Sequence, residues 1–344
     1  MSLKVIKAGI LDTVQDNGRY GNQHLGINPS GAMDRYAMQV TNMLVGNNPL
    51  EAIIEMHFPA AVFMFTQPAL IALGGADFSA SINGEPVSHL HPILVGKNDL
   101  LQFHKPVKGA RSYLSVAGGL ASNKWMNSNS TNLKAKAGGY AGRSLRKDDE
   151  LLYKQPLSFS FYKEDFNVLP WKADINFLPV SPLFNQQLEE AGKSRADESL
   201  EVLVLPGNEW EQLTFESKEN FMMTSFVITR QSDRMGYRLN NMPLHSLSTA
   251  EVISSAVSFG TIQLLPDGGL IVLMADHQTT GGYPRVGHVI SAYHSRLAQV
   301  KAGDKINFRL TDLQTAEDLL IKQQQHLLQL QNACTFRLQE YFKK

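Results

Sequence analysis

The chain has 344 residues, enough for two domains that each bury a core. Its 32 Lys and Arg residues equal its 32 Asp and Glu residues in number, which argues against a broad surface for binding nucleic acid. A single cysteine, Cys334, excludes an intramolecular disulfide framework. The sequence has no apolar run long enough to cross a membrane and no signal-peptide pattern, so we expect a cytoplasmic protein that binds neither membrane nor nucleic acid.

Most of the chain is predicted to be β-structure. Short apolar or alternating runs such as ALIALGG, RSYLSVAGG, LEVLVLPG and GLIVLM are separated by Gly, Pro, Asn and Asp. One helix is predicted near residues 31–45, with Ser30 as the candidate N-cap and Gly46 as the stop. A Gln-rich amphipathic helix is predicted at the C-terminus, starting near Asp312 or Thr315.

The pattern weakens between about residues 155 and 200, where four prolines precede a charged run. We place the domain boundary at the end of this stretch. The sequence therefore predicts a first β-rich domain over residues 1–196 and a second over 197–344 that includes the C-terminal helix.

The first segment with candidate site residues is LDTVQDNGRYGNQHLGINPSGAMDRYAM. A strand ends in Gln15, Asp16 and Arg19, and a glycine-rich loop leads to Ser30 and Asp34 at the start of a helix. Because the N-terminus of a helix offers unpaired amides, this segment is a candidate for binding a carboxylate or carbonyl oxygen. The alternative is an ordinary capped helix in which Asp34 complements the helix dipole.

A second segment, AGGYAGRSL, contains Gly138, Gly139, Gly142 and Arg143. Backbone amides and one cation can surround a phosphate or carboxylate, so Arg143 is a candidate ligand-binding residue. A plain β-turn with a surface arginine is the alternative. The GKS sequence at residues 192–194 is not a P-loop, because Gln187 stands where that motif requires glycine.

The third segment, SDRMGYRLN, places Asp233 next to Arg234, with Arg238 four residues further on. Such residues usually form structural ion pairs. Arginine is also the planar fork that grips a carboxylate or phosphate. The two interpretations differ in whether the arginine faces a cleft.

The fourth segment, MADHQTTGGYP, follows a predicted buried strand and is unusually rich in hydrogen-bonding groups. Asp276 can accept a proton, while Gln278 and Thr279 can donate hydrogen bonds to a polarised oxygen. Gly281 and Gly282 let the backbone approach a ligand closely, and Tyr283 follows them. Read as structure alone, the segment is a long hairpin connection.

Four histidines are candidates for metal ligands: His89, His91, His288 and His294. A third ligand at a recognisable spacing is missing, so we expect no metal site and ordinary hydrogen-bonded or exposed histidines.

Together, TVQDNGRYGNQHLGINPSGAMDRYAM, AGGYAGRSL, SDRMGYRL and MADHQTTGGYP resemble the allophanate hydrolase subunit 2 family, in order, from about residue 9 to residue 310. That family includes the carboxyltransferase half-domain of urea carboxylase, the antagonist of the sporulation kinase inhibitor and the C subunit of bacterial 5-oxoprolinase. Two positions depart from its pattern: the family usually has arginine at His277 and an acidic residue near Tyr293. Either change could alter specificity.

The resemblance implies a mainly β protein in which a cyclophilin-like β-barrel follows an N-terminal β-rich domain. It also implies partners, a subunit 1 homologue and a third 5-oxoprolinase subunit, with the active cleft shared between chains. The leading hypothesis is therefore a subunit of an ATP-dependent 5-oxoprolinase, inactive alone, that helps to open a lactam to glutamate, with ATP bound here or by a partner.

On that hypothesis Asp276 handles a proton, Gln278 and Thr279 bind the carbonyl, and Arg234 or Arg143 steadies phosphate or carboxylate. Tyr283 completes the catalytic set. The remaining candidates for substrate binding are Gln15, Asp16, Arg19, Ser30, Asp34, Asp233, Arg238, Gly281 and Gly282. One alternative is carboxyl transfer to a urea-like amide from carboxybiotin carried by a partner, and another is non-catalytic binding of a kinase-inhibitor homologue.

Overall fold

The computed structural model describes residues 1–154, 166–175, 199–248 and 252–343. The chain forms two compact units. The first comprises Met1–Asn22, Pro29–Ile175 and Leu327–Lys344, and the second comprises Gln23–Asn28 and Asn176–His326. The boundary predicted between residues 196 and 197 lies outside the described residues.

The first unit contains two six-stranded antiparallel sheets. Its strands are β1 (Ser2–Lys7), β2 (Thr13–Gln15), β3 (Ile53–Met56), β4 (Val62–Phe65), β5 (Ala69–Asp77), β6 (Ala80–Ile82), β7 (Glu85–Pro86), β8 (Pro92–Val95), β9 (Leu100–Phe103), β10 (Lys108–Val116), β11 (Glu150–Leu152) and β12 (Asn167–Val168). The strand orders are β11-β1-β4-β9-β6-β7 and β12-β8-β5-β10-β3-β2. The edge strand β2 therefore leads directly into the Asp16 segment.

Both sheets of the first unit contribute side chains to one apolar core. Phe63 and Ile82 come from the first sheet, and Ile71 and Leu114 come from the second, and all four are fully buried. Burial of each such side chain stabilises the fold by roughly 1.5–3 kcal/mol. This core gives the polar segments beside it a stiff support.

Helix α1 (Arg35–Leu44) ends as predicted, but a different residue caps its start. Asp34 Oδ1 accepts a hydrogen bond from the Ala37 amide at 2.9 Å, so Asp34 is the N-cap and the prediction of Ser30 was wrong. Ser30 lies four residues earlier, in a left-handed conformation with φ of 56°. At the other end the Gly46 amide donates to the Met43 carbonyl, and φ of 74° at Gly46 stops the helix.

Helix α1 packs on β5 at Gly74. The Thr41 hydroxyl donates to the Ala37 carbonyl at 2.6 Å and faces the strand. A Cβ atom at Gly74 would lie 2.0 Å from Thr41 Oγ1, far closer than two non-bonded atoms tolerate. The absence of a side chain at Gly74 therefore sets how closely the helix approaches the sheet.

The second unit is built around a closed seven-stranded barrel, with strand order β13-β20-β17-β18-β15-β14-β21. Its strands, together with the separate pair β16 and β19, are β13 (Leu200–Pro206), β14 (Phe226–Ile228), β15 (Gly236–Asn240), β16 (Ser255–Ala256), β17 (Thr261–Leu264), β18 (Leu270–Leu273), β19 (Thr280–Gly281), β20 (Arg285–Val289) and β21 (Lys305–Leu310). Two short helices accompany them, α2 (Phe215–Met223) and α3 (His294–Ala298). The prediction of a mainly β protein with a C-terminal barrel is confirmed.

The predicted C-terminal helix is α4 (Leu313–Phe342), and Asp312 caps it by accepting a hydrogen bond from the Thr315 amide at 2.7 Å. The prediction gave the whole helix to the second domain, whereas its residues from Leu327 onward belong to the first unit. The reason is local packing: Asn167 Nδ2 donates to the Tyr341 hydroxyl at 3.1 Å, and Trp171 contacts the Tyr341 ring edge-on. In the part of the chain that the structure describes, neither α4 nor any other helix is apolar over a length that would span a bilayer.

We expect Gly74→Ala to destabilise the protein by roughly 1–3 kcal/mol, because the new methyl group overlaps Thr41 Oγ1. The double variant Thr41→Ala/Gly74→Ala should lose less than the sum of the two single changes, since Thr41→Ala removes the overlapping atom. Urea unfolding of the four proteins measures this coupling. Strictly additive losses would contradict the proposed contact.

Candidate functional site

The third and fourth candidate segments, 42 residues apart in sequence, meet through an ion pair. Arg234 Nε donates to Asp276 Oδ2 at 2.8 Å, and Arg234 Nη2 donates to Asp276 Oδ1 at 3.2 Å. The Asp276 amide also donates to the Arg234 carbonyl at 2.8 Å. The loop after β18 is therefore tied to the turn before β15 by both side chains and backbone.

The Asp276–Arg234 pair has the geometry of a structural ion pair. Both side chains are largely buried, at 15% and 6% exposure, and both carboxylate oxygens already accept hydrogen bonds from a cation. The Asp276 carbonyl accepts a further bond from Asn28 Nδ2 at 2.8 Å. A proton-accepting role for Asp276 would require this pair to break, so the geometry favours the structural interpretation of these two residues.

His277, one of the two departures from the family pattern, is a buried residue of the loop after β18. Its side chain is buried, and Nδ1 is 2.5 Å from the Gln278 carbonyl oxygen. Its amide donates to the Met274 carbonyl. His277 therefore shapes the backbone immediately before Gln278.

Beside this loop the second unit contains a cavity of about 490 Å³. Four predicted site residues line it: Asp233, Arg238, Gln278 and Tyr283. Its other lining residues are Gln231, Met235, Gly236, Gln263, Leu265, Pro266, Asp267 and Ile271. The other predicted site residues of these two segments lie outside this lining: Asp276, Arg234, Thr279, Gly281 and Gly282.

The cavity wall combines one cation with several neutral and acidic groups. Arg238 projects from β15, is exposed, and makes no ion pair with a residue in the described ranges. Asp233 Oδ1 accepts from the Met235 and Gly236 amides, which fixes its carboxylate in a turn. A wall of this composition suits a small molecule that carries a carboxylate and an amide.

Gly281 leaves room for the side chain of Gln263, a residue that was not among the predicted site residues. β19 pairs with β16, opposing Gly281 to Ser255, and a Cβ atom at Gly281 would lie 2.4 Å from Gln263 Nε2. Gln263 interrupts the apolar run of β17 with an amide, and this was the signal in the sequence that could have identified it.

In the first unit, Asp16 is held by a segment that the sequence interpretation also missed, residues 128–131. Its Oδ1 accepts hydrogen bonds from the Ser128 and Ser130 hydroxyls and from the Gly18 amide. Its Oδ2 accepts from the Asn129 amide. Asp16 is buried and takes the role of an organising acceptor; four consecutive hydroxyl and amide residues were the signal in the sequence.

The other predicted residues of this unit make similar internal contacts. Arg19 is fully buried, donates to the Ser130 carbonyl and lies 4.7 Å from the centre of the Trp125 ring. Gln15 Nε2 donates to Thr13 Oγ1 at 3.0 Å, and the Ser30 hydroxyl donates to the Thr131 carbonyl at 3.3 Å. These contacts and the helix cap at Asp34 agree with the alternative interpretation of this segment, an ordinary capped helix.

The glycines of AGGYAGRSL allow tight packing within the first unit. Cβ atoms at Gly138 and Gly139 would lie 2.3 Å from the Ser130 carbonyl oxygen and 1.9 Å from Thr131 Oγ1. Arg143 pairs with Asp149 through two bonds of 2.6 and 2.8 Å. The residues present therefore do not fit a phosphate group, and this segment is a packed turn.

Three of the four histidines that were candidate metal ligands lie against backbone carbonyl oxygens, and the fourth, His288, lies against the Thr261 hydroxyl. His89 Nε2 is 3.0 Å from the Gly75 carbonyl oxygen, and His91 Nδ1 is 3.0 Å from that of Leu169. Within the described ranges no three His, Cys, Asp or Glu side chains group as metal ligands.

A second largely buried ion pair, between Glu209 and Arg285, holds the C-terminal end of the loop that runs from Asp276 to Pro284. The Glu209 carboxylate accepts from the Arg285 amide at 2.7 Å and from the guanidinium at 3.1 and 2.9 Å. Burial alone would raise the pKa of Glu209, but the bonds from Arg285 outweigh it and hold that pKa below the ordinary 4.5. Arg285 follows Pro284 directly, so this pair anchors the end of the loop.

We expect Asp276→Asn to lower the free energy of unfolding by on the order of 3 kcal/mol, because it removes the negative charge that pairs with the largely buried Arg234 guanidinium. The matched control is Glu201→Gln, which alters a long, half-exposed pair with Arg309 and should cost less than about 1 kcal/mol. Chemical denaturation of both variants measures the difference. Equal effects would contradict the structural role of Asp276.

We expect the stabilisation from Glu209 to be fully present above pH 4.5 and to be lost as the pH falls through the lower pKa of the folded state. Glu209→Gln should therefore be less stable than wild type at pH 7, and the gap should narrow below pH 4.5. Urea unfolding at a series of pH values tests this. If the difference in the free energy of unfolding between Glu209→Gln and wild type does not vary with pH, ionisation of Glu209 does not contribute to stability.

The chain matches the family described as carboxyltransferase domain, subdomain A and B, over residues 25–310. It is 32% identical to the C subunit of 5-oxoprolinase from Escherichia coli over 95% of this chain and 97% of that protein. It is 31% identical to the C subunit of 5-oxoprolinase from Haemophilus influenzae over 92% of this chain and 94% of that protein.

The crystal structure of the Kluyveromyces lactis urea carboxylase matches 96% of this chain and 29% of its own, with a TM-score of 0.83 and 25% identity. The closed barrel, the order of the four sequence segments and these similarities all point to the same family. The chain therefore belongs to the carboxyltransferase domain family that includes the bacterial 5-oxoprolinase C subunits.

Proposed function

We propose that this chain is the C subunit of a 5-oxoprolinase and that, with partner subunits, it helps to hydrolyse the lactam of 5-oxoproline to glutamate. The observation that carries the proposal is the likeness to two proteins of that name over nearly the full length of each. The cavity in the second unit supports it, because its wall offers groups that complement such a substrate.

The substrate carries a carboxylate, a carbonyl oxygen, an N–H group and a small apolar ring. Arg238 can grip the carboxylate with its planar fork, and Asp233 can accept the lactam N–H. Leu265, Pro266 and Ile271 offer apolar surface to the ring. Binding of this kind positions the amide for attack and orders it against the loop that carries Gln278.

In this proposal ATP is bound by a partner. The glycines of AGGYAGRSL pack closely against other atoms of the first unit and Arg143 is engaged by Asp149, so we assign no phosphoryl step to residues of this chain. The partners are a subunit 1 homologue and a third 5-oxoprolinase subunit, in line with the names of the relatives, which are themselves subunits.

A second candidate function is carboxyl transfer to a urea-like amide, favoured by the TM-score of 0.83 to a urea carboxylase. It would require carboxybiotin on a partner. The same cavity would then bind the accepting amide.

Glutamate release from 5-oxoproline, assayed with the purified chain alone and then with its partners and ATP, tests the leading proposal. We expect release from the mixture and none from the chain alone. Biotin-dependent carboxylation of urea by the mixture, without glutamate release, would replace the leading proposal by the second candidate.

We expect Arg238→Met to raise the KM for 5-oxoproline by roughly tenfold to a hundredfold, the loss typical of a charged hydrogen bond. The matched control is Arg230→Met, an exposed arginine outside the cavity lining, which should leave KM unchanged. Steady-state kinetics of the assembled subunits measure both. An unchanged KM for Arg238→Met would remove Arg238 from the binding site.

A further inference from the structure

The wall of the cavity contains a buried amide whose hydrogen bonds are incomplete. Gln263 lies in β17 with 1% of its surface exposed. Its Oε1 accepts from Gln278 Nε2 at 3.3 Å, which sets the orientation of the amide. Its Nε2 has no hydrogen-bond partner among the residues that the structure describes.

A buried donor without an acceptor costs folding free energy, and native proteins keep few of them. Both Gln263 and Gln278 belong to the cavity lining. If a molecule in this cavity placed an acceptor atom next to Gln263 Nε2, the new hydrogen bond would recover that free energy.

Two backbone features place the Gln263 side chain. The pairing of β17 with β20 shifts register between Ile262 and Gln263, and such an irregularity re-aims the side chain next to it. Gly281 lies against the amide, and any side chain there would overlap Nε2. The chain thus reserves space for this one donor.

We propose that the Gln263 side-chain amide donates a hydrogen bond to the carbonyl oxygen of the bound lactam and so selects a cyclic amide over a ring that lacks the carbonyl. This inference rests on the proposed function and deepens it. Gln263 is a specificity-determining residue, and Gln278 is a positioning residue that acts through it.

The required chemistry is that of a neutral donor. The lactam oxygen is an acceptor, and the Gln263 Nε2 group can supply one N–H without any change of protonation. A site built around such a donor disfavours an analogue without the acceptor, because the donor then stays buried and unpaired. Proline shares the ring and carboxylate of 5-oxoproline and lacks the carbonyl.

The experiment compares the dissociation constants of 5-oxoproline and proline for the assembled subunits with either wild type or Gln263→Met. Because proline also differs at its nitrogen, the decisive quantity is how the substitution changes the ratio of the two constants. We expect Gln263→Met to reduce the preference for 5-oxoproline by roughly tenfold to a hundredfold. Gln212→Met, an exposed glutamine outside the lining, should leave the ratio unchanged.

Two further variants separate a loss of recognition from a loss of folding. Gln263→Glu has nearly the same shape and keeps an oxygen for Gln278, yet it offers no amide donor, so it should lose the same preference. Gly281→Ala should also lose it, since its methyl group displaces the amide. Thermal unfolding of each variant checks that the fold is retained.

The outcomes distinguish this inference from the function on which it rests. If wild type releases glutamate but the folded Gln263 variants keep the full preference for 5-oxoproline, the role of Gln263 is wrong and the proposed function stands. If wild type binds 5-oxoproline in a Gln263-dependent way and releases no glutamate, the function is wrong and the binding role stands. Binding of neither ligand would overturn the inference.

Discussion

The ion pair between Asp276 and Arg234 is the constraint on which the cavity depends. It joins the loop after β18 to the turn before β15, with both oxygens of one side chain and two nitrogens of the other engaged. Because the pair is largely buried, loss of either side chain would remove an ionic interaction that water screens only weakly. Gln278 follows Asp276 by two residues and Arg238 follows Arg234 by four, so the pair joins two segments that line the cavity.

Buried polar groups organise the first unit in a comparable way. Asp16 accepts bonds from three residues of the 128–131 segment, and the glycines at 138 and 139 pack against the same segment. These motifs look functional in sequence because they are polar and rich in glycine. In the folded unit the same properties satisfy buried donors and acceptors, which is a requirement of any irregular backbone in an interior.

In the second unit, the exposure of each predicted site residue separates those that hold the loop from those that can contact a ligand. Asp276, Arg234 and His277 are buried or largely buried and maintain the loop, whereas Arg238, Asp233 and Tyr283 are exposed on the cavity wall and can meet a ligand. Gln263 shares features of both sets, because it is buried and yet lines the cavity with a donor that has no partner among the described residues. Among the described residues that line the cavity, Gln263 is the one whose side chain holds a buried donor without a hydrogen-bond partner.

By itself the sequence determined the local structure: strands such as Leu200–Pro206, the stop of α1 at Gly46, the start of α4 at Asp312 and the family resemblance of four ordered segments. These follow from periodicity, capping and turn chemistry, which act over a few residues. Only the tertiary structure decided that Arg234 pairs with Asp276, that residues 128–131 saturate Asp16, and that Gln263 lines the cavity. Burial and pairing depend on contacts between residues far apart in the chain, and no local pattern records which partner a charged side chain meets.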